Sequence, residues 1–297
     1  MKGHGPPYNE QVNVDLHCHS TISDGTLTPE TLAQRAQANG VELWALTDHD
    51  ELGGVARAQE AALDLGMHFL TGVEISASYG AHTLHIVGLG VDPTHPDLCA
   101  GMTSIRTGRE RRARLMSESL AQAGITGAFE GALKYAGNPN LISRTHFARH
   151  LVKTGVCRDP NEVFRRYLTP GKPGFVPHQW ATLADAVTWI RRAGGMAILA
   201  HPGRYPLTAN QEYALLSEFK TLGGLGIEVI TGSHSPAEFI QYAQVARETG
   251  LAASCGSDFH APGESRIDLG DLPAMPDDLP KVWDLLADRI HHPRLAG

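Results

Sequence analysis

The chain has 297 residues and a formal net charge of −7; it is long enough for one large α/β core, and no apolar run approaches the ~18 residues that a membrane span needs. Its four cysteines, Cys18, Cys99, Cys157 and Cys255, lie far apart without CxxC spacing, which excludes a disulfide framework and a zinc ribbon. The opening residues MKGHGPPYNEQ are polar and carry no targeting pattern, so a cytoplasmic address is expected.

From residue 12 to about 100, short apolar strands alternate with helices: VNVDLH, a helix over 29–38, LWALT, a helix over 52–65, then HFLTGVEIS and TLHIVGLG. Thr28 followed by Pro29 predicts an N-cap and a first helical residue, and Gly40 a stop. The next segment predicts helices throughout, over 103–123, 127–136, 144–154 and 160–168. After residue 180 the strands resume as GMAILAHP (195–202), LGIEVI (225–230) and LAASCGSD (251–258), with Ser235, Pro236 and Glu238 forming a capping box and Gly194 and Gly250 further stops. Seven strands in a βα order predict a barrel or a doubly wound sheet over 12–102 and 179–290, interrupted by an all-helical insertion at 103–178. Residues 101–180 hold 13 Lys and Arg against 5 Asp and Glu, a balance of +8 inside a frame of −15. That asymmetry points to an anionic substrate shared between the two parts.

Sixteen histidines are the other compositional signal. In DLHCHSTISDG (15–25), Asp15, His17 and His19 share one face of a strand while Leu16 and Cys18 share the other. Two imidazoles so spaced can converge on one ion. Asp15, two residues short of the rim, is expected to accept from an imidazole N–H. The same residue types recur at later strand ends: Asp48, His49 and Asp50, then Glu74, His85, His201, His234, and finally Asp258 and His260. In α/β barrels the C-terminal rim is where sites are built, so these side chains are expected to face one cup.

These motifs resemble the polymerase and histidinol phosphatase (PHP) domain family: DLHCHS (15–20), SDG (23–25), TDHD (47–50), GVEIS (72–76), HIVGL (85–89), AHPG (200–203) and GSDFHAP (256–262), in the family's order. The resemblance implies a distorted seven-stranded βα barrel and two to three divalent metal ions. Carried onto this sequence, it assigns His17, His19, Glu74 and Asp258 to a first ion. Glu74 would bridge to a second held by His85 and His201, and Asp24, His49 and His260 would take a third. Many members have histidine where this chain has Asp24. Within the family, NPNLISRTHFARHLV (138–152) and YLTPGKPGFVP (167–177) resemble a subgroup of nucleoside 3',5'-bisphosphate phosphatases that also includes a ribonuclease trimming short 5'-phosphorylated RNA.

Phosphate ester hydrolysis needs an activated water, here a metal-bridged one, and neutralisation of the phosphoryl charge; two ions ~3.5–4 Å apart meet both needs. Imidazole and carboxylate donors without thiolate suit Mn²⁺, favoured here, or Zn²⁺ or Fe²⁺. In the insertion, Ser143, Arg144 and His146 open a helix whose free N–H groups and dipole favour a phosphate. Lys172 is read either as reaching that phosphate or a ribose, or as a surface lysine. His234 is either a contact to the scissile phosphate or a plain loop histidine. The run RTGRERRAR (106–114) is read as solvated surface with a steering role.

The expected activity is release of the 3'-phosphate from nucleoside 3',5'-bisphosphates, extending to stepwise 5' to 3' hydrolysis of short RNA, with no obligate protein partner. The rivals are a histidinol-phosphatase-like phosphoesterase, a metal-dependent amidohydrolase and a non-catalytic nucleic-acid-binding module. Against the second, no strand end offers a lysine where Glu74 stands. Against the third, pure binding gives a full ligand set no purpose.

Overall fold

The computed structural model describes residues 12–178 and 180–293. The polar opening stretch and the expected boundary at Gln179 lie outside them. In chain order the elements are β1 (Val14–Asp15), α1 (Pro29–Ala38), β2 (Leu43–Leu46), α2 (Val55–Asp64), β3 (His68–Tyr79) and β4 (His82–Leu89). They continue with α3 (Pro96–Thr107), α4 (Arg109–Gln122), α5 (Ala128–Leu133), α6 (Arg144–Lys153) and α7 (Pro160–Val163). A π-helical turn over Phe164–Leu168 follows α7. The chain closes with β5 (Ala181–Thr182), α8 (Leu183–Arg192), β6 (Met196–Leu199), α9 (Ala209–Leu222), β7 (Gly226–Thr231), α10 (Pro236–Thr249), β8 (Ala252–Gly256) and α11 (Val282–Leu285).

The sheet runs β1-β2-β3-β4-β6-β7-β8, and the short β5 pairs only with β3. Strand β1 meets β8 through Leu16 N–H to Cys255 O at 3.1 Å, Asp258 N–H to His17 O at 2.8 Å and His19 N–H to Phe259 O at 2.9 Å. These bonds close the seven expected strands into a barrel. It is distorted because β4 is antiparallel to both neighbours. Only Gly80 and Ala81 separate β3 from β4, too few for a parallel crossover, and Gly80 takes the positive φ of +56° that a tight hairpin requires.

Local chemistry sets the helix ends. Thr28 accepts from Thr31 N–H ahead of Pro29, Ser235 and Glu238 form the expected box, and Gly250 ends α10 at φ +70°. The expected helix at 103–123 is instead two. Helix α3 packs Leu98, Met102 and Ile105 into the barrel core, and the chain turns at Gly108, where a Cβ would lie 2.5 Å from the His178 ring. Helices α4 to α7 have a core of their own, with Met116, Leu120, Phe129, Phe147, Leu151 and Val163 all buried.

Candidate metal centre and anion cleft

The strand that carries the first histidines is regular only at Val14–Asp15, because beyond it the chain bends inward to meet β8. Gly256 permits that approach: a Cβ there would lie 2.2 Å from His17 Cβ. His17 and His19 are fully buried with their Nε2 atoms 3.2 Å apart. Each faces Glu74 Oε2, at 3.3 and 3.2 Å, and Asp258 Oδ1, at 3.5 and 3.2 Å. The other oxygen of Glu74, Oε1, lies 2.9 Å from His85 Nδ1 and 3.0 Å from His201 Nε2. Both sets expected around Glu74 are therefore brought together, one on each oxygen.

The third set also assembles, from different elements. Asp24 Oδ1 lies 3.4 Å from His260 Nε2 and 3.9 Å from His49 Nε2. His49 belongs equally to the Glu74 group, since its Nδ1 is 2.9 Å from Glu74 Oε2. Asp48 braces the loop bearing Asp24, accepting from Ser20 N–H at 2.8 Å, Ser20 Oγ–H at 2.6 Å and Ser23 Oγ–H at 2.5 Å. Gly25 lets this loop fold back: a Cβ would lie 2.1 Å from His19 O. Helix α6 grips the same loop, with Ser143 Oγ–H donating to Asp24 Oδ2 at 3.1 Å and Arg149 Nη1–H to Asp24 O at 2.6 Å.

The donor set fits divalent ions. Three overlapping groups, His17/His19/Glu74, His49/Glu74/His85 and His19/Asp24/His49/His260, each hold candidate ligand atoms within 4.8 Å of one another. Between His17 or His19 and the carboxylates of Glu74 and Asp258 the separations of 3.2–3.5 Å match the roughly 3.4 Å edge of a tetrahedron with bonds of about 2.1 Å. Asp24 Oδ1 and Glu74 Oε2 are buried facing imidazole nitrogens but make no bond of hydrogen-bonding geometry, an arrangement that a shared cation would satisfy.

The electrostatics agree. Burial would raise Glu74, but its histidine neighbours, His49 and His85 foremost, hold it well below the usual carboxylate range; Asp24 and Asp258 are held there in the same way by theirs. Burial alone would lower His17, yet Glu228, Glu74 and Asp258 together raise it well above its ordinary value. His19 and His49 are raised as well, against burial, by the same carboxylates, whereas burial lowers His85. His201 is lowered too: burial first, then the Arg204 charge, pushes it down to about 3 and leaves a neutral imidazole. Three non-glycine residues just past strand ends have left-handed backbones, Asp50 (φ +51°), His201 (φ +27°) and Asp258 (φ +52°), and such strain gathers where side chains must be aimed.

Beside this cluster opens a cleft that His49, His85, His260 and Asp24 share with Arg109, Arg112, Arg144, Arg204, Phe164 and Trp180. Arg109 and Arg112, three residues apart on one face of α4, are buried, not solvated as the reading of 106–114 expected. They stack on Trp180, with guanidinium carbons 4.6 and 5.3 Å from its ring. Arg109 is also paired with Asp50. Arg112 and Arg144, by contrast, have no carboxylate partner among the described residues: Arg112 donates to Val176 O and Arg144 to Leu168 O. Burial first and nearby arginine charges second push Arg112 down to about 9 and Arg144 to about 10. At neutral pH both remain cations awaiting an anion.

Of the other expected substrate contacts, Ser143 lines the cleft, and His146 caps α6 by accepting Ser143 N–H on Nδ1 at 3.0 Å without lining it. Lys172 is exposed on its loop and does not line the cleft. His234 is corrected outright as a phosphate contact. It is buried against Tyr242, its Nε2 accepts Gly203 N–H at 3.0 Å, and its Nδ1 faces Val229 O at 3.2 Å, so both nitrogens are engaged in holding loops. Asp15 is corrected too. It accepts backbone N–H groups of Ser257, Gly270 and His17, while the imidazole Nδ1 of His17 meets Glu228 at 2.7 Å. The signal for Glu228 was one carboxylate inside the otherwise apolar strand LGIEVI.

Imidazoles and carboxylates converging at a barrel rim, next to unpaired buried arginines, define a metal-dependent phosphoesterase. The PHP domain model matches residues 15–159. The 3',5'-nucleoside bisphosphate phosphatase of Chromobacterium violaceum is 54% identical over 281 residues, covering 95% of this chain and 99% of that protein. The 5'-3' exoribonuclease Rnm of Escherichia coli is 43% identical over 279 residues, covering 93% and 94%. The crystal structure of a Bifidobacterium adolescentis protein described as a metal-dependent phosphoesterase superposes with a TM-score of 0.77 at 28% identity, covering 95% and 97% of the two chains. The chain belongs to the PHP domain family.

Proposed function

We propose that the protein removes the 3'-phosphate of nucleoside 3',5'-bisphosphates and extends the same reaction to stepwise 5' to 3' hydrolysis of short 5'-phosphorylated RNA. The observation that carries this reading is the adjacency of two anion-seeking features in one cleft: the imidazole and carboxylate cluster, and Arg112 with Arg144, which lack carboxylate partners. A substrate with two phosphates answers both. The bisphosphate phosphatase at 54% identity and the exoribonuclease at 43% support it, since both chemistries leave a 5'-phosphate to be gripped while the 3' ester is cut.

In this reading His17, His19, Glu74 and Asp258 hold one divalent ion, Glu74, His85 and His201 a second, and Asp24, His49 and His260 a third, with manganese first among Mn²⁺, Fe²⁺ and Zn²⁺. When bound, such ions supply Lewis acidity and a water deprotonated near neutral pH. The chain's own residues do the rest. The segment 103–178 acts as a substrate-binding cap, its Arg112 and Arg144 holding the phosphate that is not cleaved. Arg204, at the cluster's edge and 3.0 Å from Asp258 Oδ2, faces the phosphate that is. Phe164 and Trp180 give the base and ribose an apolar wall. A nucleotide or short-RNA substrate implies action in the cytoplasm, and the reading needs no protein partner. Among the described residues, no helix is long and apolar enough to cross a membrane.

Phosphate release from adenosine 3',5'-bisphosphate, 3'-AMP, 5'-AMP, histidinol phosphate and a short 5'-phosphorylated RNA tests the proposal. The bisphosphate is expected to be fastest and 5'-AMP inert; release from histidinol phosphate or 5'-AMP at the bisphosphate's rate overturns it. Asp24→Asn keeps the shape but removes the charge that draws a cation, so activity is expected to depend more steeply on added Mn²⁺. An unchanged Mn²⁺ titration removes Asp24 from the ligand set.

A further inference from the structure

Glu228 is buried in mid-strand β7, between the core residues Ile227 and Val229. A carboxylate there is expensive unless its oxygens are engaged, and both are. Oε1 lies 2.7 Å from His17 Nδ1, and Oε2 accepts the backbone N–H of His201 at 2.6 Å. Glu228 is itself in none of the candidate ligand groups. It stands behind two histidines that face opposite oxygens of Glu74.

We infer that Glu228 is the positioning residue that couples the two halves of the Glu74 cluster, aiming Nε2 of His17 with one oxygen and pinning the turn of His201 with the other. A neutral imidazole has one N–H. With that proton given to Glu228 from Nδ1, Nε2 of His17 keeps its lone pair, directed at the point shared with His19 and Glu74. His201 holds its ring toward Glu74 only through a backbone of φ +27°, which costs free energy and persists when neighbours over-determine it. The bond from Glu228 Oε2 is such a constraint. One side chain therefore sets a ring orientation just after β1 and a backbone conformation just after β6.

Glutamine is the informative substitution. It has the same shape but one acceptor oxygen, whereas His17 Nδ1–H and His201 N–H are both donors. In Glu228→Gln the amide NH₂ must face one of them, which turns His17 to the wrong tautomer or releases the His201 turn. The inference rests on reading the cluster as a metal centre, so the experiment measures metal binding and apo-protein folding separately. Zinc affinity would be read by competition with a chromophoric chelator, apo stability by thermal melting, and the His17 ring by ¹⁵N shifts of the zinc-loaded protein. Glu228→Gln is expected to weaken zinc binding about 10- to 100-fold and to move the His17 ¹⁵N shifts, with an apo melting temperature near that of the parent. Phe219→Leu, in the barrel's apolar core and remote from the candidate ligand groups, is expected to do the reverse, lowering the melting temperature at unchanged zinc affinity. Glu228→Asp, charged but too short to hold both donors, is the fallback if the glutamine variant does not fold, with loss of affinity expected at one ion only. Parental affinity in the variant that folds, or an apo melting temperature lowered as far as in Phe219→Leu with unmoved His17 shifts, overturns the inference and leaves the metal reading intact. Absence of zinc binding in the parent overturns both.

Discussion

Glu74→Ala is expected to lower kcat/KM for adenosine 3',5'-bisphosphate by on the order of 1,000-fold, equivalent to about 4 kcal/mol of transition-state stabilisation, and to remove most of the metal held by the first two ligand sets. The reason is the position of its two oxygens. Oε1 serves His85 and His201, and Oε2 serves His17, His19 and His49, all within 3.3 Å, so no other residue is common to so many candidate ligands. The alanine variant also leaves buried imidazoles without the anion that raises several of them, so their protons become harder to keep and the ring cluster loses its centre. Glu74→Gln separates chemistry from collapse, since it fills the same volume without the charge. Elemental analysis of purified protein, with circular dichroism to report the fold, decides the matter: full metal content in a folded Glu74→Ala protein removes the bridging role.

How far such a centre is legible in sequence depends on whether a residue acts through its own strand or through a partner brought by the fold. His17, His19, His201 and Asp258 sit just past strand ends, positions that barrel geometry sends to one rim, whereas Glu74 and His85 lie within β3 and β4, which run on past the site as a hairpin. His234 shows the limit of that rule. It follows β7 as the others follow their strands, but Gly203 and Val229 occupy both its nitrogens, contacts that only the tertiary structure provides. Arg109 and Arg112 fail in the other direction. Within a run of five arginines nothing local distinguishes the two that turn inward from Arg111 and Arg114, because the surface that covers them is Trp180, about seventy residues further on. The reversal of β4 was legible in principle, since the two residues between β3 and β4 cannot make a crossover.

Arg144→Ala is expected to reduce kcat/KM for adenosine 3',5'-bisphosphate by about 10- to 150-fold, since a charge-assisted bond to a phosphate is worth roughly 1.5–3 kcal/mol. Arg144 opens α6 and lines the cleft half-buried, with the Leu168 carbonyl as its one hydrogen-bond acceptor among the described residues. Arg112 is pushed down to about 9 by burial first and by the Arg144 charge next, and Arg144 to about 10 by burial first and by Arg204 and Arg109 next. An incoming phosphate relieves both at once, so the two arginines are expected to act as a unit, and the double variant to lose less than the product of the single losses. Hydrolysis of 3'-AMP is the control. It has no 5'-phosphate to anchor, so its slow rate is expected to be nearly unchanged in Arg144→Ala, whereas damage to the fold or to the ligand cluster depresses both substrates together. Equal proportional loss on 3'-AMP and the bisphosphate would assign Arg144 to the metal centre, whose Asp24 lines the same cleft, and would move the anchor to Arg112 and Arg204, which line it too.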